Sequence, residues 1–174
     1  MKSSLGQLSF LVIDDNANMA SIVKIILKNF GAAIIYDARD VAEAFSICRQ
    51  YSIDVVFADY HLGFMDGVAF VRLMRTAVDS PNPYMPIIML SAYSEQVRVT
   101  AARDAGATEF CVKPVTAAEI YRKIVEVVSH PRPFVRTTSF FGPCRRRHVD
   151  ETYDGPERRA APVRSESEES QAVA

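Results

Sequence analysis

The stretch "FLVIDDNANM", Phe10 to Met19, decides the fold. Four apolar residues run directly into Asp14 and Asp15, two adjacent carboxylates that repel each other. Apolar residues then return at helical spacing at Met19, Ile22, Val23, Ile26, Leu27 and Phe30, and Gly31 ends the pattern. A strand of buried character followed by an amphipathic helix is the opening of a strand–helix–strand unit. The doubled charge therefore falls at the carboxyl end of the strand, "LSFLVI" (8–13).

The same alternation recurs four more times. "AAIIY" (32–36) reads as a second strand, followed by a helix that opens on a capping box of Asp40 and Glu43 and buries Val41, Ala44, Phe45 and Cys48. "IDVVFA" (53–58) is a third, with a helix from Asp66–Gly67 that turns Val68, Val71 and Met74 inward. "PIIML" (86–90) is a fourth, leading to a helix around 95–105 that stops at Gly106. "EFCV" (109–112) is the fifth; Thr116 and Glu119 then open a helix with Ile120, Ile124, Val127 and Val128 on one stripe. Five short apolar strands alternating with five helices predict right-handed parallel crossovers and a sheet covered on both faces. The expected fold is a doubly wound α/β domain over residues 1–129 with strand order 2-1-3-4-5.

In such a sheet, ligands bind beyond the carboxyl ends of the strands, where the chain order reverses. Asp14 and Asp15 end the first strand, Asp59 the third, Ser91 the fourth and Lys113 the fifth. Three carboxylates brought together need a positive partner. Mg²⁺ suits them, because it takes octahedral oxygens and binds through carboxylates, waters and phosphate. Lys113 adds a fixed positive charge, and the Ser91 hydroxyl can donate to an incoming oxygen. There is no glycine-rich phosphate loop and no histidine base with a defined partner. The set fits a phosphoryl group held on a carboxylate, with Asp59 as nucleophile. Each residue alone has a plainer reading, as a cap or as loop punctuation; their joint placement at four strand ends favours the functional one.

Composition agrees. At 174 residues, 49% hydrophobic, with a formal net charge of −1, the chain has ample core and no strong overall pull toward nucleic acid or membrane. No apolar run nears the roughly 20 residues needed to cross a bilayer, and "MKSSLGQLSF" has no long hydrophobic core of a signal peptide. Cys48, Cys111 and Cys144 lack metal-ligand spacing; Cys48 and Cys111 sit in apolar stretches as buried free thiols, and a reducing cytoplasm is the expected compartment.

From His130 the character changes. Residues 130–174 show no apolar periodicity; "PRPFVRTTSFFGPCRRRH" is arginine-rich and "SESEES" is acidic. A largely disordered tail is the expectation. Within it "GPCRRR" (142–147) is echoed by "GPERR" (155–159). A docking segment for an acidic surface, a segment folded back on the domain, and contact with nucleic acid or anionic membrane are the competing readings.

The motifs "IDDN" (13–16), "ADYHLGFMDG" (58–67), "LSAY" (90–93) and "CVKP" (111–114) together resemble the receiver domain of bacterial two-component response regulators, over roughly residues 8–129. The resemblance implies that Asp59 accepts a phosphoryl group from a phosphohistidine on a sensor histidine kinase or histidine phosphotransfer protein. It implies Mg²⁺ held by Asp15, Asp59 and the main-chain carbonyl of His61, with Asp14 acting largely through water. Lys113 would pair with Asp59, Ser91 would swing toward the phosphoryl group, and Phe110 would rotate inward. Three departures stand out. Gly63 replaces a frequent proline and should loosen its loop; Phe110 replaces a common tyrosine; and His61 and Tyr93, two residues past Asp59 and Ser91, are candidates for tuning phosphoryl lifetime.

The tail has no periodic helices for a DNA-binding module and is too short for a catalytic output domain, so the expectation is a single receiver acting through an unknown downstream protein. Ile120, Tyr121, Val97 and Arg98 would line its output surface, and a dimer through the fourth and fifth helices is open to it. A phosphotransfer intermediate or phosphate sink is the variant reading. A Mg²⁺-dependent phosphohydrolase is disfavoured because the position two past Asp59, where such enzymes need an acid, is His61, and no cap insertion is present.

Overall fold

The structure, a computed structural model, describes residues 4–63 and 65–145. After a 3-10 turn at Ser4–Gln7 come β1 (Ser9–Ile13), α1 (Ala17–Asn29), β2 (Ile34–Ala38), α2 (Val41–Gln50) and β3 (Val55–Asp59). A two-residue pair, β4 (His61–Leu62) and β5 (Met65–Asp66), precedes α3 (Gly67–Thr76). Then follow β6 (Ile87–Ser91), α4 (Gln96–Ala105), β7 (Glu109–Val112) and α5 (Ala117–Ser129). The main sheet is parallel throughout, in the order β2-β1-β3-β6-β7. Counting only its own five strands, that is the expected 2-1-3-4-5.

Strands β1, β3 and β6 are buried at every position, which is why their sequences do not alternate. Successive residues feed opposite cores. Leu11, Ile13, Val56 and Met89 pack with Ala44, Val71 and Ala102; Phe10, Val12, Phe57 and Leu90 pack with Val23, Leu27, Ile120 and Ile124. The helices start where their caps demand. Asn16 accepts from the N–H groups of Asn18 and Met19, and Asp66 from that of Ala69. Asp40 accepts from the Glu43 N–H while Glu43 accepts from the Arg39 N–H, so the helix-opening pair works in both directions.

Two details differ from the sequence reading. The second strand begins at Ile34, two residues late, because its register is set by pairing Ser9 with Ile34 through Ile13 with Ala38. As an edge strand it leaves Ile34 exposed. On α1, Ile22 lies on the rim of the apolar stripe and is also exposed.

The larger correction concerns the tail. Within the tail expected to be largely disordered, residues 134–143 instead form an antiparallel pair, β8 (Phe134–Arg136) and β9 (Phe141–Pro143). This hairpin packs Phe134 and Phe141 against Tyr84, with ring centroids 5.1 and 5.3 Å away. Burial of three aromatic rings offsets the ordering cost that composition alone could not show was met. Phe134 also covers the guanidinium of Arg75 at 5.1 Å. That buried side chain donates to the carbonyls of Gly106, Pro83 and Met85 at 3.0, 2.8 and 2.8 Å. Burial pushes the Arg75 guanidinium down to about 9, which leaves it charged at neutral pH among those carbonyl dipoles. Nearby, Arg132 and Lys123 flank the buried carboxylate of Glu109 at 3.2 and 2.6 Å, and Arg145 pairs with Asp104 of α4 at 3.0 Å. The segment 134–145 is thus folded back on the domain. Residues 146–174, with "GPERR" and "SESEES", lie outside the described residues.

Candidate functional site

Chain order reverses between β1 and β3, and the residues that end those strands meet there. Asp14, just past β1, is 2% exposed; its Oδ1 accepts from the Asn16 N–H at 2.9 Å, and its own N–H bonds the Ala38 carbonyl. Asp59, the last residue of β3, is also buried. Asp15 is exposed, and its Oδ2 accepts from the Gly63 N–H at 3.1 Å. One carboxylate oxygen from each of Asp14, Asp15 and Asp59 lies within 4.8 Å of the others.

Lys113 closes the cluster from the fifth strand. Its Nζ stands 3.0 Å from Asp14 Oδ2 and 3.1 Å from Asp59 Oδ1. Burial pushes the Asp59 carboxyl above its usual range; the Lys113 charge and hydrogen bond oppose this, while Asp14 adds to it. An excess of negative charge remains, since three carboxylates share one ammonium group. Hard oxygens at this spacing fit Mg²⁺, which binds through few carboxylates and keeps waters for its remaining positions.

Ser91 ends β6 and is fully buried, its Oγ accepting from the Tyr93 N–H at 3.1 Å. Phe110 on β7 is half-buried against the core that contains Met89 and Ala102. His61 begins β4, and its exposed ring contacts those of Tyr60 and Tyr93 edge-on, with centroids 5.5 and 6.2 Å away. The sequence-derived residues Asp14, Asp15, Asp59 and Lys113 are therefore in one cluster, with Ser91 and Phe110 on neighbouring strands.

Gly63 carries more than looseness. It adopts φ +59°, a left-handed conformation that glycine favours, and its N–H, which proline would lack, is the one that holds Asp15. Sequence reasoning missed Tyr60, whose ring faces the Arg98 guanidinium at 5.3 Å. It also misplaced part of the expected output surface. Val97 and Tyr121 are exposed, but Ile120 is wholly buried in the core shared by α1 and α5, and Arg98 turns toward the site loops. Ile120 belongs to the same apolar stripe as Ile124, which is the signal that assigns it inward.

Residues 10–125 match the family model of the response regulator receiver domain, and the chain belongs to that family. It is a signal-transduction domain of two-component systems. The transcriptional regulatory protein ZraR of Salmonella typhimurium is 26% identical over 129 residues, covering 73% of this chain but 28% of that protein. The chain therefore spans little more than a quarter of that relative. Chemotaxis protein CheY-3 of Vibrio cholerae is 27% identical over 120 residues, 69% of this chain and 91% of that one. Among solved structures, a CheX–CheY–BeF3–Mg²⁺ complex from Borrelia burgdorferi aligns with TM-score 0.60 and 27% identity, covering 69% of this chain and 88% of the matched chain. No helix among the described residues is long and apolar enough to cross a membrane.

Proposed function

We propose that this chain is a response regulator that takes a phosphoryl group onto Asp59 from a phosphohistidine, in a Mg²⁺-dependent reaction, and thereby changes its binding to a protein partner. The observation that carries this reading is the cluster itself: three carboxylates with oxygens inside 4.8 Å, and one lysine bonded to two of them. Asp14, Asp15 and Asp59 would hold the ion, with the His61 carbonyl as a further ligand. When bound, Mg²⁺ supplies charge neutralisation for an incoming phosphoryl group.

The chain's own residues account for the rest. An Asp59 oxygen bonds to phosphorus as the donor's bond to phosphorus breaks, and the donor leaves with that electron pair. Lys113, released from the carboxylate oxygen it bonds, can follow the new phosphoryl oxygens. Ser91, whose Oγ accepts from the Tyr93 N–H, can turn its own O–H to donate to the same group, and its movement would draw the loop ahead of α4 inward. Phosphorylation adds close to two negative charges and strong acceptor oxygens, so two strand-end loops respond to one charge. Phe110 sits in the half-buried position from which a ring can move inward.

The donor would be a sensor histidine kinase or a phosphotransfer protein, in the cytoplasm, where free Cys48, Cys111 and Cys144 are at home. Relay of the group onward uses the same chemistry and differs only in the acceptor. A phosphohydrolase reading lacks its second acid, since the position two past Asp59 is His61, whose ring is paired with Arg98. The test is labelling by acetyl phosphate with and without Mg²⁺, in wild type and Asp59→Asn. Label that appears only in the wild type with Mg²⁺ supports the reading; undiminished label in Asp59→Asn overturns it.

A further inference from the structure

The hairpin of β8 and β9 is seated on the ends of two elements whose opposite ends open into the site. The chain reaches α4 from Ser91 through residues 92–95, and β7 runs into Lys113. At its far end α4 stops at Gly106, which adopts φ +101°. A Cβ on Gly142 of β9 would stand 2.8 Å from Gly106 Cα, and one on Gly106 would stand 2.9 Å from the Phe141 carbonyl oxygen. Strand and helix end thus touch backbone to backbone, with no side chain between them to absorb a shift. Arg145 ties the same join to Asp104 of α4 at 3.0 Å. At the start of β7, Glu109 holds Arg132 at 3.2 Å, and Arg132 in turn donates to the Cys144 carbonyl at 3.4 Å. One hairpin therefore bridges α4 and β7 at the end of the sheet away from Asp59.

We propose that docking of this hairpin is coupled to the state of Asp59: a phosphoryl group there loosens the hairpin from α4, and a loosened hairpin favours the phosphorylated form. The proposal rests on the reading of Asp59 as phosphoacceptor. Ser91 and Lys113 stand at the site ends of the two bridged segments, and both are drawn to the new oxygens. Lys113 moves with the end of β7 and Ser91 with the loop into α4, so α4 and β7 shift relative to each other. An interface of long side chains would follow by changing rotamers. The Gly106–Gly142 contact cannot, because backbone atoms already meet there, and packed interfaces switch rather than deform. The seat fits the arrangement in which Lys113 pairs with Asp14 and Asp59 and Ser91 Oγ accepts from the Tyr93 N–H. Linkage makes the effect mutual: what the phosphoryl group takes from docking, docking takes from the phosphorylated form.

The experiment follows amide hydrogen exchange over residues 134–144 of the full chain, with Mg²⁺ alone and with Mg²⁺ plus acetyl phosphate, label on Asp59 being measured in the same samples. The Thr137 and Cys144 N–H groups close the hairpin by donating to the Phe140 and Pro133 carbonyls, and a two-stranded pair without its seat is marginal in water. Phosphorylation should speed their exchange about five- to tenfold, the low end of ordinary coupling, and leave it unchanged in Asp59→Asn. The converse arm measures Mg²⁺-dependent binding of beryllofluoride, a phosphoryl mimic. Gly142→Ala, which forces the hairpin off Gly106 without touching the site, should bind it tighter than wild type by about the same factor. Asp104→Asn, which removes only the ion pair to Arg145, should act in the same direction by less, and it serves if its unfolding midpoint is normal and that of Gly142→Ala is not. Unchanged or slower exchange in labelled wild type, equal acceleration in Asp59→Asn, or binding no tighter in the folded variants would overturn the proposal alone. Absence of label that depends on Asp59 in the wild type would overturn the parent reading and this one with it.

Discussion

Gly67, the first residue of α3, lies against the main-chain carbonyl of Asp59 with no room for a side chain between them. A Cβ there would overlap that oxygen and stand 2.9 Å from Met89 Cε, while the Gly67 N–H donates to the Tyr60 carbonyl at 2.9 Å. The start of α3 therefore fixes the main chain on which the Asp59 carboxylate is mounted.

Gly67→Ala should accordingly do two things at once. Overpacking against backbone should cost about 1–3 kcal/mol of stability, read as a lower urea midpoint. Displacement of Asp59 should also lower acetyl phosphate labelling at temperatures where the variant is still folded. Full labelling would mean that the contact is structural only.

Lys113 neutralises two buried carboxylates, so its loss should leave them repelling each other. Lys113→Met should be less stable than wild type by about 3 kcal/mol without divalent cation, the low side of what breaking a buried pair costs. With its competitor gone, Mg²⁺ should bind more tightly and raise the unfolding temperature more than it does in the wild type. A smaller Mg²⁺ shift in the variant would contradict the shared-site geometry.

Buried Cys48 gives a pH signature. Burial pushes its thiol up to about 12 from the ordinary value near 9, so above pH 9 the unfolded chain loses a proton that the folded chain keeps. Stability should be unaffected by this group below pH 9 and fall as pH rises toward 12, by about 1.4 kcal/mol per unit at most. Thiol reagents at pH 8 should modify Cys144 first, with buried Cys48 and Cys111 reacting only on unfolding. Early loss of Cys48 would show that its surroundings open locally.

The hairpin of β8 and β9 should behave as part of the domain. Phe134→Ala removes the ring over Arg75 and beside Tyr84 and Phe141. The expected cost is about 3 kcal/mol, at the lower edge of the range for an enclosed phenylalanine. A thermal midpoint lowered by less than about 2 °C, where a kcal/mol is worth roughly 2–4 °C, would mean that the hairpin is only loosely held.

The order of legibility follows burial. Central strands β1, β3 and β6 were plain because burial on both faces imposes an unbroken apolar run, and the charged residues that end them stand out by contrast. Edge strand β2 was shifted by two residues because Ala32 and Ala33 satisfy the apolar pattern while register depends on β1. The hairpin escaped notice since Phe134, Phe140 and Phe141 follow no single period, although two short apolar runs separated by "RTTS" (136–139) are a hairpin signal. Arg75 and Arg98 were illegible as single basic residues: what each does depends on carbonyls and rings contributed by distant segments.

By itself the sequence determined the alternation of strand and helix, the parallel sheet, and which carboxylates and which lysine end its strands. Those are consequences of local periodicity and of where charge interrupts it. Tertiary structure alone decided that Asp14, Asp59 and Lys113 share hydrogen bonds, that Gly63 supplies the N–H for Asp15, that Arg98 contacts two loops, and that residues 134–145 fold back on the domain with Phe134 over Arg75. These are pairings between segments far apart in the chain, and their energies arise only once folding has brought the groups within a few ångströms of each other.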